Sequence, residues 1–219
     1  MEISILPLDN LVFNNKDKEL CYFVSKERQE KIKYLKNDKA KKLCLYSALL
    51  SRMMLSQHTN IKNNELFFTK NKYGKPLFYS PDDNVHFNFS HSGDVIIFTL
   101  SYHEIGVDIE KPRPYNMALV NKVLHEEEKD YYFSLNTDLE KDRFFFRIWT
   151  IKEAYAKYQG TGINFDLKEL NCLASNIQKN LHTNEYNDYI FSVYSLDEHY
   201  TNPTIIKEAD IHVFFSNEK

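Results

Sequence analysis

Apolar positions along the chain change period several times, from alternation to helical spacing and back. Ile3 and Ile5 alternate with polar neighbours, so Met1–Leu8 reads as a short strand. Ser25 is a suitable N-cap for a helix opening at Lys26. From there to about Gln57 neither Gly nor Pro occurs, and Leu43, Tyr46, Leu50 and Met53 or Met54 recur near helical spacing. Two helices, or one broken helix, with a basic face are expected here. Leu66–Thr69 is strand-like, and Lys72–Pro76 is a turn in which Gly74 permits positive φ. Val85–Phe89 and Val95–Leu100 read as strands joined by Ser90–Asp94, and Ile105–Glu110 as a third.

Pro112 and Pro114 then force an extended exit. Asn116–Leu124, His125–Leu135 and Leu139–Tyr158 are helical candidates, the last closed by Gly160 and Gly162. After Phe165, Tyr189–Tyr194 and Ile211–Phe215 alternate and read as strands. This order predicts an α+β fold whose halves meet near Tyr102–Gly106. No direct sequence repeat is visible, and the linker is too short for independent domains.

The bulk numbers narrow the function. At 219 residues, 42% apolar and 15% aromatic, the chain can bury a sizeable core and is not disordered. A net charge of −3 argues against general nucleic-acid binding, yet Lys26–Lys42 holds eight Lys or Arg against three acids, enough to hold a polyanion. Three widely spaced cysteines form no CxxC pair, so reduced, cytoplasmic thiols are expected rather than a zinc ribbon or disulfide framework. Neither a signal peptide nor a membrane span is expected.

Two segments carry candidate chemistry. In Gly106-Val107-Asp108-Ile109-Glu110 the two carboxylates are at i and i+2, so on a strand they share a face while Val107 and Ile109 point into the core. In Trp149–Lys157, Glu153 and Lys157 share one helix face. Mg²⁺ takes six oxygens at roughly 2.0–2.1 Å, commonly from a few carboxylates plus a substrate phosphate. Asp108, Glu110 and Glu153 could hold such an ion, and Lys157 could reach the same phosphate. Each piece alone has a plainer reading: a solvated strand face, a surface ion-pair pattern, a polar hairpin, a solvated basic helix. The ordered combination is what points to a site.

That combination is Phe87-Asn88-Phe89-Ser90-His91-Ser92, Gly106–Glu110, and Trp149-xx-Lys152-Glu153-Ala154-xx-Lys157-xx-Gly160-x-Gly162. It resembles the 4′-phosphopantetheinyl transferase superfamily, Sfp-type, in which one chain contains both halves. Tyr73-Gly74-Lys75-Pro76 and the Arg28/Lys31 segment add to the likeness. The resemblance implies two similar α/β subdomains related by a pseudo-twofold, residues 1–103 and 104–219. Each would have a mainly antiparallel sheet packed on helices, with the active site in the cleft between. It implies Mg²⁺-dependent (or Mn²⁺-dependent) transfer of the phosphopantetheine arm of coenzyme A to a serine of an acyl or peptidyl carrier protein, releasing 3′,5′-ADP.

By the same resemblance Asp108, Glu110 and Glu153 match the metal ligands, Glu153 is also a candidate base, and Lys157 contacts the transferring phosphate. Ser90 and His91 match coenzyme A phosphate contacts, Arg28 and Lys31 the basic pair near the 3′-phosphate, and Gly74-Lys75-Pro76 the turn packing on adenine. Where the family often has Arg followed by Ser or Thr, this chain has Leu43-Cys44, with Lys42 expected to compensate. The segment Pro112–Leu124, with Met117, Leu119, Val120 and Leu124, fits a carrier-docking patch or core packing. A monomer is expected. The alternatives are a Mg²⁺-dependent pyrophosphohydrolase or nuclease, and a non-catalytic carrier- or coenzyme A-binding module.

Overall fold

In the computed structural model, which describes residues 1–80, 84–162, 166–197 and 199–218, the first alternating segment is strand β1 (Glu2–Pro7), followed by a short helix α1 (Asn15–Leu20). Helix α2 (Lys26–Tyr34) opens at Ser25, whose side chain accepts from the Arg28 amide, and α3 (Asp38–Thr59) is capped the same way by Asn37. The basic stretch is therefore two helices. Strands β2 (Phe67–Lys70) and β3 (Pro76–Tyr79) flank the Gly74 turn, where φ is +88°. Strands β4 (His86–Ser92), β5 (Val95–Ser101) and β6 (Ile105–Glu110) complete the first run.

Next come α4 (Met117–Val123), α5 (Glu126–Ser134) and α6 (Asp138–Gln159), the last ending at Gly160 in the left-handed region. A short α7 (Ser175–Gln178) leads to β7 (Leu181–Tyr186), β8 (Tyr189–Ser195), β9 (Thr204–Ile205) and α8 (Glu208–Ser216). The pairs α2–α3 and α5–α6 have matching lengths, 9 then 22 residues, and both long helices end on a left-handed residue, Asn60 or Gly160.

Two sequence expectations need correction. Ser90-His91-Ser92 is not a linker; it lies within β4, and only Gly93-Asp94 makes the turn. Ile211–Phe215 is helical, not a strand. Ile211, Phe214 and Phe215 also fit i, i+3, i+4 spacing, and the Asp210 carboxylate accepts from the Lys207 amide at 2.8 Å where the helix starts. Phe165, the expected start of the strand tail, lies outside the described residues.

Four strands form one sheet in the order β4-β5-β1-β9, and three form another in the order β6-β8-β7. All pairings in these two sheets are antiparallel except β1 with β9. Alternation divides the cores. Leu6, Ile96 and Phe98 pack with α3 residues such as Tyr46, Leu49 and Leu50, while Ile3, Ile5, Val95 and Ile97 pack with Val107, Ile109, Phe191 and Val193 of the second sheet. On the far side of that second sheet, Ile190 and Tyr194 pack with Phe145, Ile151 and Ala154 of α6. The sheets thus share a core, with α3 and α6 on their outer faces. After β8 the chain crosses back over the expected 103/104 division: β9 pairs with β1, and Ile211 and Phe215 of α8 join the α3 core.

Gly106 sets how closely β6 lies against α6. A Cβ there would collide with the Ala154 carbonyl and the Tyr158 amide, both backbone and unable to yield. Gly106→Ala is expected to cost about 1–3 kcal/mol in urea unfolding, the usual penalty of overpacking. A variant as stable as the parent would contradict this close-approach reading.

Candidate active site

Residues 106, 108 and 110 share the face of β6 that looks onto α6, and Asn88, Ser90 and Ser92 share one face of β4. Where these two edge strands pass each other, their side chains interlock. Asn88 Oδ1 accepts from the Val107 amide at 3.1 Å, Ser90 donates to Asp108 Oδ1 at 2.7 Å, and Ser92 donates to Glu110 Oε2 at 2.7 Å. Lys157 reaches in from the last turn of α6, its Nζ 2.7 Å from Asp108 Oδ1 and 2.9 Å from Ser90 Oγ. Asp108, Ser90 and Lys157 are thus one cluster assembled by three elements.

Asp108 is only 5% exposed. Burial pushes its pKa up, opposed first by the Lys157 charge. Its Oδ1 takes both partners; Oδ2 is buried and has none among the described residues. Glu153 makes no hydrogen bond or ion pair among the described residues, and burial, then the Asp108 charge, pushes its pKa to about 7. Glu110 is paired to Arg113 at 2.6 Å. Among the described residues no three carboxylate, imidazole or thiol groups are already gathered around one point. An orphaned buried oxygen beside two further acidic side chains nevertheless fits a cation, whose charge would offset the burial and the Asp108 repulsion that raise Glu153.

The remaining sequence candidates divide. Arg28 and Lys31 lie on α2, and Arg28 donates from Nη1 to the Cys44 sulfur at 3.4 Å, in the position where the sequence lacks the expected hydroxyl. His91 faces the opposite side of β4 from Ser90; the surrounding protein, then the Lys157 charge, hold its pKa down. Lys42 corrects the expectation of a coenzyme A contact: it is fully buried, 3.1 Å from Glu208 of α8 and 3.4 Å from Asn10 Oδ1. Lys75 is a strut, giving Nζ to Glu104 at 2.9 Å and to the Ile105 and Tyr158 carbonyls. Gly74 and Pro76 sit in and after the turn that Asn71 ties to the Gly160 carbonyl at 2.7 Å. Val120 and Leu124 are core, whereas Met117 is exposed and Leu119 lines a cavity of about 450 Å³.

Sequence reasoning missed Asn88, Ser92 and Arg113. Alternation would have found the first two, had Ser90–Ser92 been read as strand. It also left Lys152 without a role. Lys152 is fully buried, 2.7 Å from Glu128, and donates to the Val123 and Leu167 carbonyls at 2.7 and 2.9 Å. Glu128 itself accepts from the His125 and Cys172 amides.

Comparison with known proteins gives the family of the chain. A family model described as 4′-phosphopantetheinyl transferase superfamily matches residues 104–209, and one described as 4′-phosphopantetheinyl transferase, N-terminal, matches residues 15–102. The chain is 30% identical over 168 residues to 4′-phosphopantetheinyl transferase ffp of Bacillus subtilis, spanning 76% of this chain and 74% of that protein. The chain belongs to the 4′-phosphopantetheinyl transferase superfamily. It is also 36% identical over 158 residues to 4′-phosphopantetheinyl transferase gsp of Aneurinibacillus migulanus, spanning 71% of this chain but 62% of that protein. With psf-1 of Bacillus pumilus it shares 27% identity over 204 residues, 90% of this chain and 85% of that one. The enzyme class is therefore a transferase, and the hydrolase alternative falls away.

Within this transferase, Lys152 holds neighbouring elements in place. It pins the end of α4 and the Leu167 turn to α6, one residue before Glu153. Lys152→Met is expected to lose about 3–5 kcal/mol in urea unfolding, because it leaves the Glu128 charge buried without its cation. A loss below about 1 kcal/mol would show the pair to be dispensable.

Proposed function

We propose that the crevice between β4, β6 and the end of α6 is where phosphopantetheine passes from coenzyme A to a serine hydroxyl of an acyl or peptidyl carrier protein, with release of 3′,5′-ADP. The observation that carries this reading is the buried Asp108, with one oxygen compensated by Lys157 and Ser90 and the other free. Asp108, Glu110 and Glu153 would hold Mg²⁺ or Mn²⁺. Such an ion, when bound, supplies positive charge where negative charge builds on the phosphoryl oxygens during transfer.

The chain's own groups do the rest. Lys157, anchored on Asp108 and Ser90, offers its one remaining N–H donor to the diphosphate as the nucleotide departs. Ser90 fixes the Lys157–Asp108 pair, so the cation is positioned before substrate arrives. Glu153, free of partners among the described residues, takes the proton of the incoming serine. Ser90 and His91 meet the coenzyme A phosphates, Arg28 and Lys31 form the basic surface for the 3′-phosphate, and the Gly74–Pro76 turn packs on adenine. The cavity beside β6, lined by Tyr115, Leu119, Lys122, Phe146 and Trp149, receives the carrier. Lys122 and Arg113 at its rim suit an acidic partner.

The halves, 1–103 and 104–219, are read as related by a pseudo-twofold. The matching helix pairs support that relation, with β9 and α8 as a strap returning to the first half. The enzyme is read as a cytoplasmic monomer with free cysteines. Among the described residues no helix is long and apolar enough to cross a membrane.

Incubating a panel of apo-carriers with coenzyme A and Mg²⁺ is expected to add one phosphopantetheine mass to the acceptor serine. Asp108→Ala and Glu153→Ala are each expected to abolish that addition while far-UV circular dichroism is unchanged. Full activity in either would remove that residue from the site. Replacing Arg28 and Lys31 together by Ala is expected to raise KM for coenzyme A more than for its 3′-dephosphorylated analogue. Equal increases would place the pair elsewhere.

A further inference from the structure

Arg113, placed above at the cavity that receives the carrier, is also the cation paired to Glu110 of the acidic cluster. Pro112 and Pro114 flank it, and a residue before proline is pressed into extended backbone, so the chain leaving β6 is stiff. From this segment the side chain folds back onto Glu110, with Nη1 2.6 Å from Oε2 and Nη2 3.5 Å from Oε1. The same guanidinium lies over the Phe146 ring, 5.6 Å from its centre, and opens onto the 450 Å³ cavity. One cation therefore touches the carboxylate cluster and the cavity beside it.

Lys157 and Arg113 between them neutralise Asp108 and Glu110, but they differ in how firmly they are held. Lys157 has a second anchor in Ser90 and is 28% exposed, whereas Arg113 is 56% exposed. A half-exposed pair is weak and cheap to break. A divalent ion on Glu110 and a guanidinium on the same two oxygens would exclude one another by charge and by space.

Resting on the reading that Asp108, Glu110 and Glu153 hold a divalent cation, we infer that Arg113 is a resident counter-cation occupying Glu110 until that ion displaces it. The freed guanidinium then serves the cavity beside it, where it pairs with an acidic acceptor. Cation loading and acceptor docking thereby strengthen each other, each by the same factor.

Mn²⁺ titration of the full chain, followed by the paramagnetic signal of the free ion, tests the first half. Arg113→Ala is expected to bind Mn²⁺ about twofold to fivefold more tightly than the parent, with Arg113→Lys between them. Structural damage would lower affinity, so a gain is not explained by misfolding. Equal or weaker binding by Arg113→Ala overturns the placeholder role. Asp108→Asn in the same assay is expected to bind Mn²⁺ much more weakly; unchanged affinity there would sink the cation site itself, a separate failure. For the second half, the probe is an acidic acyl-carrier protein whose acceptor serine is replaced by alanine. Mn²⁺ is expected to tighten its binding to the parent enzyme and not to Arg113→Ala. Equal tightening in both overturns the coupling.

Discussion

A carboxylate taken out of water must be compensated, and the burial of Asp108 is the constraint on which the site depends. Its partners come from three different elements: Ser90 from the edge of one sheet, Lys157 from the long helix, and the carboxylate itself from the edge of the other sheet. Lys157 can reach Asp108 because α6 lies against β6 at Gly106, where no side chain intervenes. The shared core of Ile5, Ile97, Val107 and Val193 holds the two sheets in register behind this contact. Packing, charge and backbone approach converge on one pair of atoms.

The cluster is balanced but incomplete. Ser90, Lys157, Ser92 and Arg113 take up Asp108 Oδ1 and Glu110 Oε2, yet Asp108 Oδ2 has no partner among the described residues and Glu153 is pushed to about 7. A purely structural ion-pair network would be expected to satisfy its buried acceptors. An unsatisfied oxygen in a crevice beside an uncompensated carboxylate is the feature on which the proposed cation site rests.

Much of this was legible in the sequence because it is local. Alternation put Asp108 and Glu110 on one face, helical spacing put Glu153 beside Lys157, and Ser25 and Gly160 marked helix ends. What was not legible depends on partners far along the chain. Lys42 sits in a basic run that looks solvated, but Glu208, brought back by α8, buries it. Lys152 had no role legible in the sequence, because Glu128 and the two carbonyls that surround it all come from outside its own helix. The last helix was misread because Ile211-His212-Val213 alternates locally, while tertiary packing uses Ile211 and Phe215. Arg113 was hidden by its flanking prolines, which signal a loop and say nothing of where the side chain returns.

The most direct measurement is anomalous diffraction from crystals grown with Mn²⁺ and coenzyme A. The account predicts a single strong peak contacted by Asp108, Glu110 and Glu153, adjoining the diphosphate, with Lys157 beside it. A Mn²⁺ peak held by coenzyme A alone or lying elsewhere, with Glu110 still paired to Arg113 and Glu153 untouched, would contradict it.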